Sequence, residues 1–528
     1  MKKIIGAITA AICALCTISI QSPISDISVS ALSWSDELSY GDYLKYQKFD
    51  RDEDGTYDYI EITDCDESAT EIEIPGEIDG VKVTEISSYA FWYCENLTSV
   101  NIPNSVTSIG RGAFDETALL KNQTGVKYVD KWVVDCDEDV TTVEIKDGTR
   151  SIADYAFERC TNLTNINIPN SVTFIDEGAF YNCINLSDIE VAAENENYSS
   201  IDGVLFNKDK TDLIKCPVGN LRTEYTIPDN VTSIGYCAFY ECKNLLNIII
   251  PDSVTEMGIL AFGRCDKLTN IKIPNGVTKI SSELFEGCTS LANISVPENI
   301  VEIEGQPFGG TAFINAQKGI KYFGDWVVEC DSDLTNAEIK PGTIGIADYA
   351  FSSCKNLEGV TIPDGVTKMG RCAFSWCENL TNITIPSSIM EIDAFTFASC
   401  KNLARVIIKN PECIIYDEKG TISNGYNSVD FVNYYYFDGT IYSYENSTAQ
   451  AYAEKYGYKF EALEPENEIV SGDITGNGKI DLYDAIDICK YIMGMKTFTE
   501  EEMKIADFDG NGKVDLYDVI GIAKTLLG

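Results

Sequence analysis

A phenylalanine recurs along most of this 528-residue chain at a nearly constant interval. Seven of the ten intervals between successive copies are 23 residues long, and the other three are 43, 59 and 43. A fixed period of this size is typical of a solenoid, in which each coil of the chain stacks only on its two neighbours. The copies, most of them preceded by Ala, are Phe91, Phe114, Phe157, Phe180, Phe239, Phe262, Phe285, Phe308, Phe351, Phe374 and Phe397.

The stretch from Ala261 to Pro274 contains the pattern of one coil. Leu268, Ile271 and Ile273 are expected to point inward from a short strand. Pro274 has no backbone N–H, so it is expected to end that strand. A second apolar pair then precedes a short helical turn, which carries the next Phe into the core. Stacked copies of this unit predict an α/β solenoid with a parallel sheet.

The chain has 19 cysteines and no histidine. Nine cysteines lie three residues after a repeat Phe, and Thr117 and Thr311 occupy the same place in two other coils. A position that accepts Thr is a small buried packing position, so we expect free thiols there. Disulfides between neighbouring coils are the alternative that the spacing permits. The nine are Cys94, Cys160, Cys183, Cys242, Cys265, Cys288, Cys354, Cys377 and Cys400.

Charge and composition argue against several classes of function. The chain carries 83 acidic and 40 basic residues, for a formal net charge of −43. This charge repels phosphate backbones and anionic lipids, so we expect no nucleic acid partner and no membrane insertion. A chain without histidine has no His-based catalytic triad and lacks the residue on which nearly all catalytic zinc sites depend.

The amino terminus has the pattern of an export signal. Lys2 and Lys3 precede an apolar run from Ile4 to Ile20, and the tripeptide V-S-A at 29–31 fits a cleavage site. The apolar run is too short for a membrane span, and no later stretch approaches the required length. We therefore expect a secreted, extracellular protein.

The recurring string A-F-x-x-C-x-x-L-x-x-I-x-I-P closely resembles the BspA-type leucine-rich repeats of bacterial surface and secreted proteins. The resemblance covers about Ile74 to Ile408 and implies a leucine-rich repeat solenoid of parallel strands with short helical turns. The two 43-residue intervals are copies of each other, because Trp132 and the string I-A-D-Y-A-F at 152 recur 194 residues later. This offset indicates duplication of a block of several coils.

The remaining segments flank the repeats. The segment before the first coil is expected to cap the apolar end of the stack. An aromatic run at 434–437 and a predicted helix at 447–456 are expected to close the other end, before a short acidic linker. The predicted divisions are a signal peptide at 1–31, an N-terminal cap at 32–73, the solenoid at 74–410, a C-terminal cap at 411–463, a linker at 464–471 and a final module at 472–528.

Two related 12-residue strings mark the final module. D-I-T-G-N-G-K-I-D-L-Y-D begins at Asp473, and D-F-D-G-N-G-K-V-D-L-Y-D begins at Asp507. A calcium loop supplies oxygen ligands from positions 1, 3, 5, 7, 9 and 12 around a Gly at position 6. Both strings fit this spacing, so we expect two bound Ca²⁺ ions. The predicted ligands are Asp473, Thr475, Asn477, the carbonyl of Lys479, Asp481 and Asp484 in the first loop, and Asp507, Asp509, Asn511, the carbonyl of Lys513, Asp515 and Asp518 in the second.

Each loop is followed by a predicted helix. Apolar residues on each helix are expected to form one stripe, so that the two helices pack together once metal fixes the loops. Thr499 and Glu502 fit a capping box for a small connecting helix. The corresponding stripes are Ala485, Ile486, Cys489, Ile492 and Met493 on the first helix, and Val519, Ile520, Ala523, Leu526 and Leu527 on the second.

A further acidic string near the amino terminus also has calcium-loop spacing. It consists of Asp50, Asp52, Asp54, Asp58 and Glu61. The flanking residues predict strands, whereas a paired calcium loop is flanked by helices. We favour an acidic turn before a strand over a third metal site.

The duplicated final segment is similar to a type I dockerin over about Gly472 to Leu527. Asp at position 12 and a helix only after each loop are features of that family. Thr475 departs from the usual Asn or Asp, so we expect weaker calcium binding in the first loop. The resemblance implies docking to a cohesin module of a scaffolding protein in assemblies that degrade plant polysaccharides. The partner-binding positions that it implies are Leu482, Tyr483, Lys490, Leu516, Tyr517 and Lys524.

A column of outward-facing asparagines raises a question about the repeat surface. The column is either a face that binds a ligand or a ladder of amides that hydrogen-bond along the sheet, and we favour the ladder. Few aromatic residues accompany it, which argues against a polysaccharide ligand. The column comprises Asn165, Asn247, Asn270, Asn293 and Asn382.

These features together predict a secreted non-catalytic protein that displays its solenoid for protein binding or adhesion in a polysaccharide-degrading complex. One alternative is a dockerin-bearing glycoside hydrolase or carbohydrate-binding component, because a catalytic carboxylate pair needs no histidine. Another is a free adhesin with a calcium-stabilised tail. The ligand of the repeat surface is unknown at this stage.

Overall fold

The computed structural model describes residues 33–51, 55–429, 432–464, 471–475 and 479–527. The predicted signal peptide, Asp52, Asp54, Asn477 and most of the predicted linker lie outside the described residues. The described part of the chain consists mainly of short strands that alternate with tight turns. None of its helices is both long enough and apolar enough to cross a membrane.

The strands of the solenoid lie mostly in two rows, each made of several short parallel sheets. The first row, which we call the front sheet, contains the strand that lies before the repeat Pro in a regular coil. Neighbouring strands pair one coil apart, so that Asn270 lies opposite Asn293 and Ile271 opposite Ile294. The front strands are Glu71–Glu73, Ser99–Asn101, Thr142–Glu144, Asn165–Ile168, Asp188–Val191, Glu224–Thr226, Asn247–Ile249, Asn270–Lys272, Asn293–Ser295, Asn336–Glu338, Gly359–Thr361, Asn382–Ile385, Arg405–Ile408, Thr440–Ser443 and Lys459–Ala462.

The second sheet, which we call the back sheet, is formed mostly by strands of two residues. Lys279 pairs with Glu302 and Ile280 with Ile303, again one coil apart. The back strands are Val81–Ile86, Ser108–Ile109, Ser151–Ile152, Phe174–Ile175, Ser233–Ile234, Glu256–Met257, Lys279–Ile280, Glu302–Ile303, Gly345–Ile346, Lys368–Met369, Glu391–Ile392 and Ile414–Ile415.

Side chains alternate across the front strands as the sequence predicts. In Asn270–Lys272 the central Ile is buried and both neighbours are exposed. The Asn293 side-chain amide donates to Asn270 Oδ1 at 2.7 Å, which forms one step of the predicted ladder. Asn382 instead donates to Thr381 Oγ1 within its own coil at 3.0 Å. The asparagine ladder is therefore present in part.

The segment that carries the repeat Phe differs from the predicted helical turn. Tyr89 and Tyr93, on either side of Phe91, both have left-handed backbone with φ 62°. Left-handed residues spaced four apart do not fit an α-helix. The Phe91 N–H instead donates to the Ala113 carbonyl of the next coil at 2.8 Å. Consecutive tight turns, joined from coil to coil by backbone hydrogen bonds, thus replace the predicted helical turn. The α-helices within the described coils are Ala118–Lys121 and Ala312–Asn315.

The repeat phenylalanines stack along the core. Phe374 lies between Phe351 and Phe397, with ring-centroid distances of 4.9 and 5.6 Å and nearly parallel planes. All three side chains are completely buried. The rings belong to successive coils, so each coil completes its core only when its neighbours are in place.

An antiparallel hairpin begins each of four groups of coils. In the hairpin near Cys136, Lys127 forms an ion pair with Asp135 at 2.6 Å. The predicted N-terminal cap contains the same unit, in which Lys45 pairs with Asp64 at 2.8 Å. The four hairpins are Leu44–Asp50 with Tyr59–Cys65, Val126–Val129 with Trp132–Cys136, Val204–Asn207 with Asp212–Lys215, and Ile320–Phe323 with Trp326–Cys330.

The last coils end in a helix and two strands that extend the front sheet. The helix Thr448–Tyr456 is capped by Ser447, whose side chain accepts the Gln450 N–H, and it ends at the left-handed Gly457. Tyr452 and Ala453 bury one side of this helix against the stack. The remaining described strands are Ser33–Trp34, Leu38–Tyr40, Glu77–Ile78, Tyr198–Ile201, Gly425–Val429 and Val432–Tyr436.

The column of repeat cysteines is buried, as predicted. In the column position, Thr117 donates its hydroxyl to the Phe114 carbonyl at 2.7 Å, which explains why Thr is accepted there. The expectation of free thiols is wrong at one place, where Cys330 and Cys354 form a disulfide. The physical reason is that Cys354 begins its column and therefore faces the cysteine that ends a hairpin strand.

Several carboxylates lie buried beside the back sheet. Asp176 accepts a hydrogen bond from Ser108 Oγ at 3.0 Å. Burial, together with the charge of Asp176, raises the pKa of Asp154 to about 8. Burial also raises the pKa of Asp348, which is the counterpart of Asp154 in the duplicated block, to about 7. The native solenoid therefore holds protons that an unfolded chain releases near pH 4.

The stacked rings make a stability prediction. Phe374→Ala should lower the free energy of unfolding by about 3–5 kcal/mol, because it removes a ring between two others and leaves a cavity. Leu221→Ala, at a side chain that is 77% exposed, is the control and should change it by less than about 0.5 kcal/mol. Urea unfolding followed by circular dichroism measures both. Equal effects of the two substitutions would contradict the stacked core.

The buried carboxyls make a prediction about pH. Their folded-state pKa values lie above their unfolded values, so stability should be greatest near pH 4–5 and should fall as pH rises towards about 8. Asp348→Asn should reduce this fall by roughly 1–3 kcal/mol, whereas Asp209→Asn at an exposed turn should not. Thermal unfolding in EDTA across this pH range is the measurement. Stability that increases from pH 5 to pH 8 would contradict the assignment.

Candidate metal and docking site

The final module contains three helices around a small core. They are Leu482–Ile492, Glu500–Ala506 and Leu516–Leu527. The predicted capping box of the middle helix is confirmed, since Thr499 and Glu502 accept each other's backbone N–H groups. The first and third helices contact each other. The buried core residues are Ile474, Ala485, Ile488, Ala506 and Ile522.

The packing of these helices differs in phase from the predicted stripes. Ile488 and Ile522 are completely buried and occupy matching positions 34 residues apart. Ile486 and Ile520, which were predicted to pack inward, are instead exposed. In the first helix, Ala485 and Ile488 therefore face the core, whereas Ile486 faces solvent.

The second loop brings carboxylates together. Ligand oxygens of Asp507, Asp509 and Asp518 all lie within 4.8 Å of one another. Asp518 is completely buried. Its Oδ1 accepts the Asp509 N–H at 3.1 Å and its Oδ2 accepts the Asp515 N–H at 2.7 Å. These bonds hold the last carboxylate of the loop in one orientation.

The turn of the second loop is organised by backbone donors. Asp507 Oδ2 accepts the Gly512 N–H at 2.7 Å, and Asp507 Oδ1 accepts the Asn511 N–H at 3.0 Å. Asn511 Oδ1 accepts the Lys513 N–H at 3.0 Å. Gly512 has φ 83°, a left-handed conformation that favours glycine. These bonds fix the turn that follows Asp507.

The described part of the first loop has the same arrangement. Asp484 is completely buried and accepts the Thr475 N–H at 2.9 Å and the Asp481 N–H at 2.7 Å. Thr475 Oγ1 donates to Asp473 Oδ1 at 3.2 Å. Of the six predicted ligand residues, Asn477 lies outside the described residues. The two loops therefore share the bonds by which the carboxylate at position 12 accepts the N–H groups of positions 3 and 9.

The donor set fits a hard divalent cation. Three carboxylates within reach of a single point repel one another unless positive charge lies between them. Carboxylate, amide and carbonyl oxygens are the ligands that Ca²⁺ takes, in sets of six to eight. The second loop brings three such carboxylates together, and the Asn511 amide lies in the same turn. The chemistry of the residues therefore suits calcium better than a metal that prefers nitrogen or sulfur.

The first turns of the two long helices expose matching apolar pairs. Leu482 and Tyr483 are 65% and 69% exposed, and Leu516 and Tyr517 are 60% and 68% exposed. Neither pair contributes to the small core of the module. Exposed large apolar side chains at equivalent places on a pseudo-symmetric module indicate an interaction surface.

The exposed surface includes residues that the sequence-based prediction missed. Ile486 and Ile520 lie four residues after the leucines of these pairs, so they share a helix face with them. This spacing is the signal that could have identified them. On the helix Leu482–Ile492, the Lys490 ammonium lies 2.7 Å from a carboxylate oxygen of Asp487. Lys524 occupies the matching position of the last helix.

The acidic string near the amino terminus joins two strands, Leu44–Asp50 and Tyr59–Cys65, rather than preceding a helix as the two loops of the final module do. The Gly55 N–H donates to Asp50 Oδ2 at 3.0 Å, and Asp58 accepts a backbone N–H of the same turn. Glu61 lies on the second hairpin strand, where burial and the charge of Glu85 raise its pKa to about 7. These contacts fit an acidic turn between strands.

The comparison with known families decides the identity of the repeats. Four segments, 64–136, 130–222, 219–329 and 328–424, match the family described as BspA type Leucine rich repeat region. Together these segments span more than half of the chain. The chain belongs to this family. Residues 471–527 match the Dockerin type I domain, so this BspA-type repeat protein also carries a C-terminal type I dockerin. The predicted fold class is confirmed.

Solved structures of bacterial leucine-rich repeat proteins are similar to the chain. One is a leucine-rich repeat protein from Eubacterium ventriosum, with 28% identity, covering 67% of this chain and 92% of that one at a TM-score of 0.36. A leucine rich cell surface protein from Faecalibacterium prausnitzii has 23% identity, coverages of 71% and 95% and a TM-score of 0.30. A Bacteroides ovatus leucine-rich repeat protein has 21% identity, coverages of 81% and 100% and a TM-score of 0.29. No curated protein matches the chain.

Both modules are non-catalytic kinds of domain. Type I dockerin domains bind calcium and dock to cohesins, and both modules are typical of extracellular proteins. The BspA-type repeat protein is therefore a dockerin-bearing, cohesin-docking repeat protein.

Proposed function

We propose that this BspA-type repeat protein is a secreted, non-catalytic component of a polysaccharide-degrading complex. Its dockerin attaches it to a cohesin of a scaffolding protein, and its solenoid is displayed for protein binding or adhesion. The observation that carries the proposal is the pair of matched Leu-Tyr surfaces, one of which adjoins a loop whose carboxylates converge.

The proposed metal site consists of two Ca²⁺ ions, one in each loop. In the second loop, three carboxylates lie close enough to share one ion. In the first loop, Thr475 supplies a neutral hydroxyl where Asp509 supplies a charge. That hydroxyl donates to Asp473, so it must turn to offer its oxygen to a metal. Fewer charges and this lost hydrogen bond make the first site the weaker one.

The proposed docking surface exists twice. The pair Leu482 and Tyr483 and the pair Leu516 and Tyr517 lie at the starts of helices that contact each other. A half-turn of the module exchanges the two pairs, with Lys490 and Lys524 in matching positions. The same cohesin surface can then bind in two orientations. Aromatic and apolar side chains that are exposed in the free protein are typical centres of such interfaces.

In this proposal the solenoid is the part of the protein that is displayed for binding. Its front face presents short polar side chains such as Asn270 and Asn293. The repeats and their ends occupy the chain from Ser33 to Ala462, and both matched families are non-catalytic kinds of module. These observations support a display role over the glycoside hydrolase alternative.

Calcium titration tests the proposed metal site. Isothermal titration of the full chain should give two binding events of unequal affinity. Thr475→Asp should tighten the weaker event by about tenfold, equivalent to about 1.4 kcal/mol, because it restores a charged ligand. Thr475→Val, which has the same shape without the oxygen, should weaken it. Identical titrations for both variants, or no calcium uptake, would contradict the two-ion site.

Cohesin binding tests the duplicated surface. Replacing Leu482 and Tyr483 by Ala should weaken binding only about twofold, since one of two equivalent orientations remains. Replacing Leu516 and Tyr517 should have the same effect, and replacing all four should weaken binding by roughly 100-fold or more.

The measurement is a pull-down or biosensor titration against a panel of cohesins in calcium and in EDTA. Ile414→Ala, at an exposed apolar residue of the solenoid, is the control and should bind normally. Loss of binding by one pair variant alone would disprove the two-orientation arrangement. Binding unaffected by EDTA would disprove the dockerin mechanism and favour a free adhesin.

A further inference from the structure

The four hairpins that begin the groups of coils share one feature besides their shape. Each ends in a cysteine or is followed directly by one. These four cysteines, which we call the hairpin cysteines, are Cys65, Cys136, Cys216 and Cys330. They do not belong to the column of cysteines that follow the repeat phenylalanines.

Each hairpin cysteine faces the first column cysteine of the group that it begins. The Cys94 thiol lies 3.7 Å from the Cys65 carbonyl, and the Cys160 thiol lies 3.7 Å from the Cys136 carbonyl. In both pairs the two thiols also interact, which raises the pKa of Cys65 and of Cys136. The thiol of the first column cysteine therefore lies beside the hairpin cysteine in both groups.

The third pair has the same geometry. The Cys242 thiol lies 4.0 Å from the Cys216 carbonyl, and its interaction with the Cys216 thiol raises the pKa of Cys242. Both cysteines are buried. The fourth pair, Cys330 and Cys354, is already a disulfide.

Cysteines later in each column are held differently. The Cys183 thiol donates to the Phe157 carbonyl of the preceding coil at 2.9 Å. Cys377 donates to the Phe351 carbonyl at 3.1 Å in the same way. A first column cysteine has no preceding coil of this kind, so a hairpin cysteine fills the place of the missing coil. The sequence separation also distinguishes the two kinds of pair. Each hairpin cysteine and its first column cysteine are 24, 24, 26 or 29 residues apart, whereas neighbouring column cysteines are 23 apart.

The duplication of the chain connects the bonded pair to an unbonded one. Cys330 is the counterpart of Cys136 and Cys354 is the counterpart of Cys160, each at the offset of 194 residues that relates the two copies. The same hairpin and the same coil surround both pairs. Whatever chemistry one pair undergoes is therefore available to the other.

We propose that all four pairs, Cys65–Cys94, Cys136–Cys160, Cys216–Cys242 and Cys330–Cys354, are sites of disulfide formation that join each hairpin to the first coil of its group. The nine other described cysteines stay reduced in this arrangement.

The reaction is thiol–disulfide exchange with an external disulfide oxidant, such as oxidised glutathione or a disulfide-carrying protein. The thiolate of one cysteine attacks the oxidant, which forms a mixed disulfide and releases one thiol. The partner cysteine loses its proton and attacks the mixed disulfide, which releases the second thiol. The chain loses two hydrogens per pair, and the oxidant is reduced to two thiols. The pairs are buried, so exchange takes place while the coils assemble.

The hairpins are the places where such a bond has most effect. Elsewhere, a coil is held by a neighbour of the same shape on each side, whereas a hairpin interrupts this regular stack. Opening of the stack is therefore expected to begin at the hairpins. A covalent bond that closes a loop of 24–29 residues there restricts the unfolded chain and limits the opening.

Peptide mapping tests the proposal on the full chain. The protein is unfolded, refolded in a buffer of reduced and oxidised glutathione, denatured again, alkylated without reduction, digested and analysed by mass spectrometry. The expected result is four linked peptide pairs and nine alkylated cysteines. Cys265 and Cys288 provide an internal control. Their thiols also interact, which raises the pKa of Cys265, but both donate to Phe carbonyls, so both should be alkylated.

Alkylation of both members of Cys65–Cys94, Cys136–Cys160 or Cys216–Cys242 in the oxidised sample would overturn the proposal. Linkage of these cysteines to other partners would also overturn it.

Substitutions separate a covalent role from a packing role. Cys136→Ser and Cys160→Ser should lower the melting temperature of the oxidised protein by the same amount, and the double variant should lower it no further. Once a reductant is added, the melting temperatures of both single variants should be close to that of the unsubstituted protein. Cys183→Ser is the matched control and should have the same effect with and without reductant. A reductant-independent effect of Cys136→Ser would overturn the proposal, and the peptide map decides the matter where a variant fails to fold.

Discussion

Backbone hydrogen bonds from one coil to the next are the interaction on which this structure depends. The N–H of Phe351 reaches the carbonyl of Ala373, and the N–H of Phe374 reaches that of Thr396, at 2.7 and 2.9 Å. The same register of 23 residues aligns the front strands, the back strands and the ring column. Because every element is completed by the coil beside it, stability accumulates along the stack and the two ends need separate covers.

Much of this arrangement follows from the sequence, and the exceptions have definite causes. The Phe period and the inward isoleucines predict the stacking and the front strands, because burial alone determines them. The turns were mispredicted as helical because their left-handed positions are occupied by residues such as Tyr89 and Trp376, which have no intrinsic preference for that conformation. Stacking imposes it. The disulfide was missed because Thr117 shows only that the column position tolerates a hydroxyl, not what faces the first member of a column.

The site shows the same division between local and tertiary information. Ligand spacing within a 12-residue loop is a local property, so the positions at which Asp484 and Asp518 anchor the loops could be read from the pattern. Which side of a short helix faces the core depends on the crossing of the two helices. Ile486 was therefore assigned to the core, whereas Ile488 occupies it. The exposed isoleucines extend the candidate surface by one helical turn beyond the Leu-Tyr pairs.

The recurrence of the same hairpin at the head of each group of coils has an evolutionary consequence. Each group of coils begins with its own hairpin, so the contact with the preceding group has the same form every time. Whole groups can therefore be gained or lost by recombination without a new capping segment. The copies related by 194 residues are the trace of one such event. Descendants of this chain can therefore vary in reach while they keep the same attachment module.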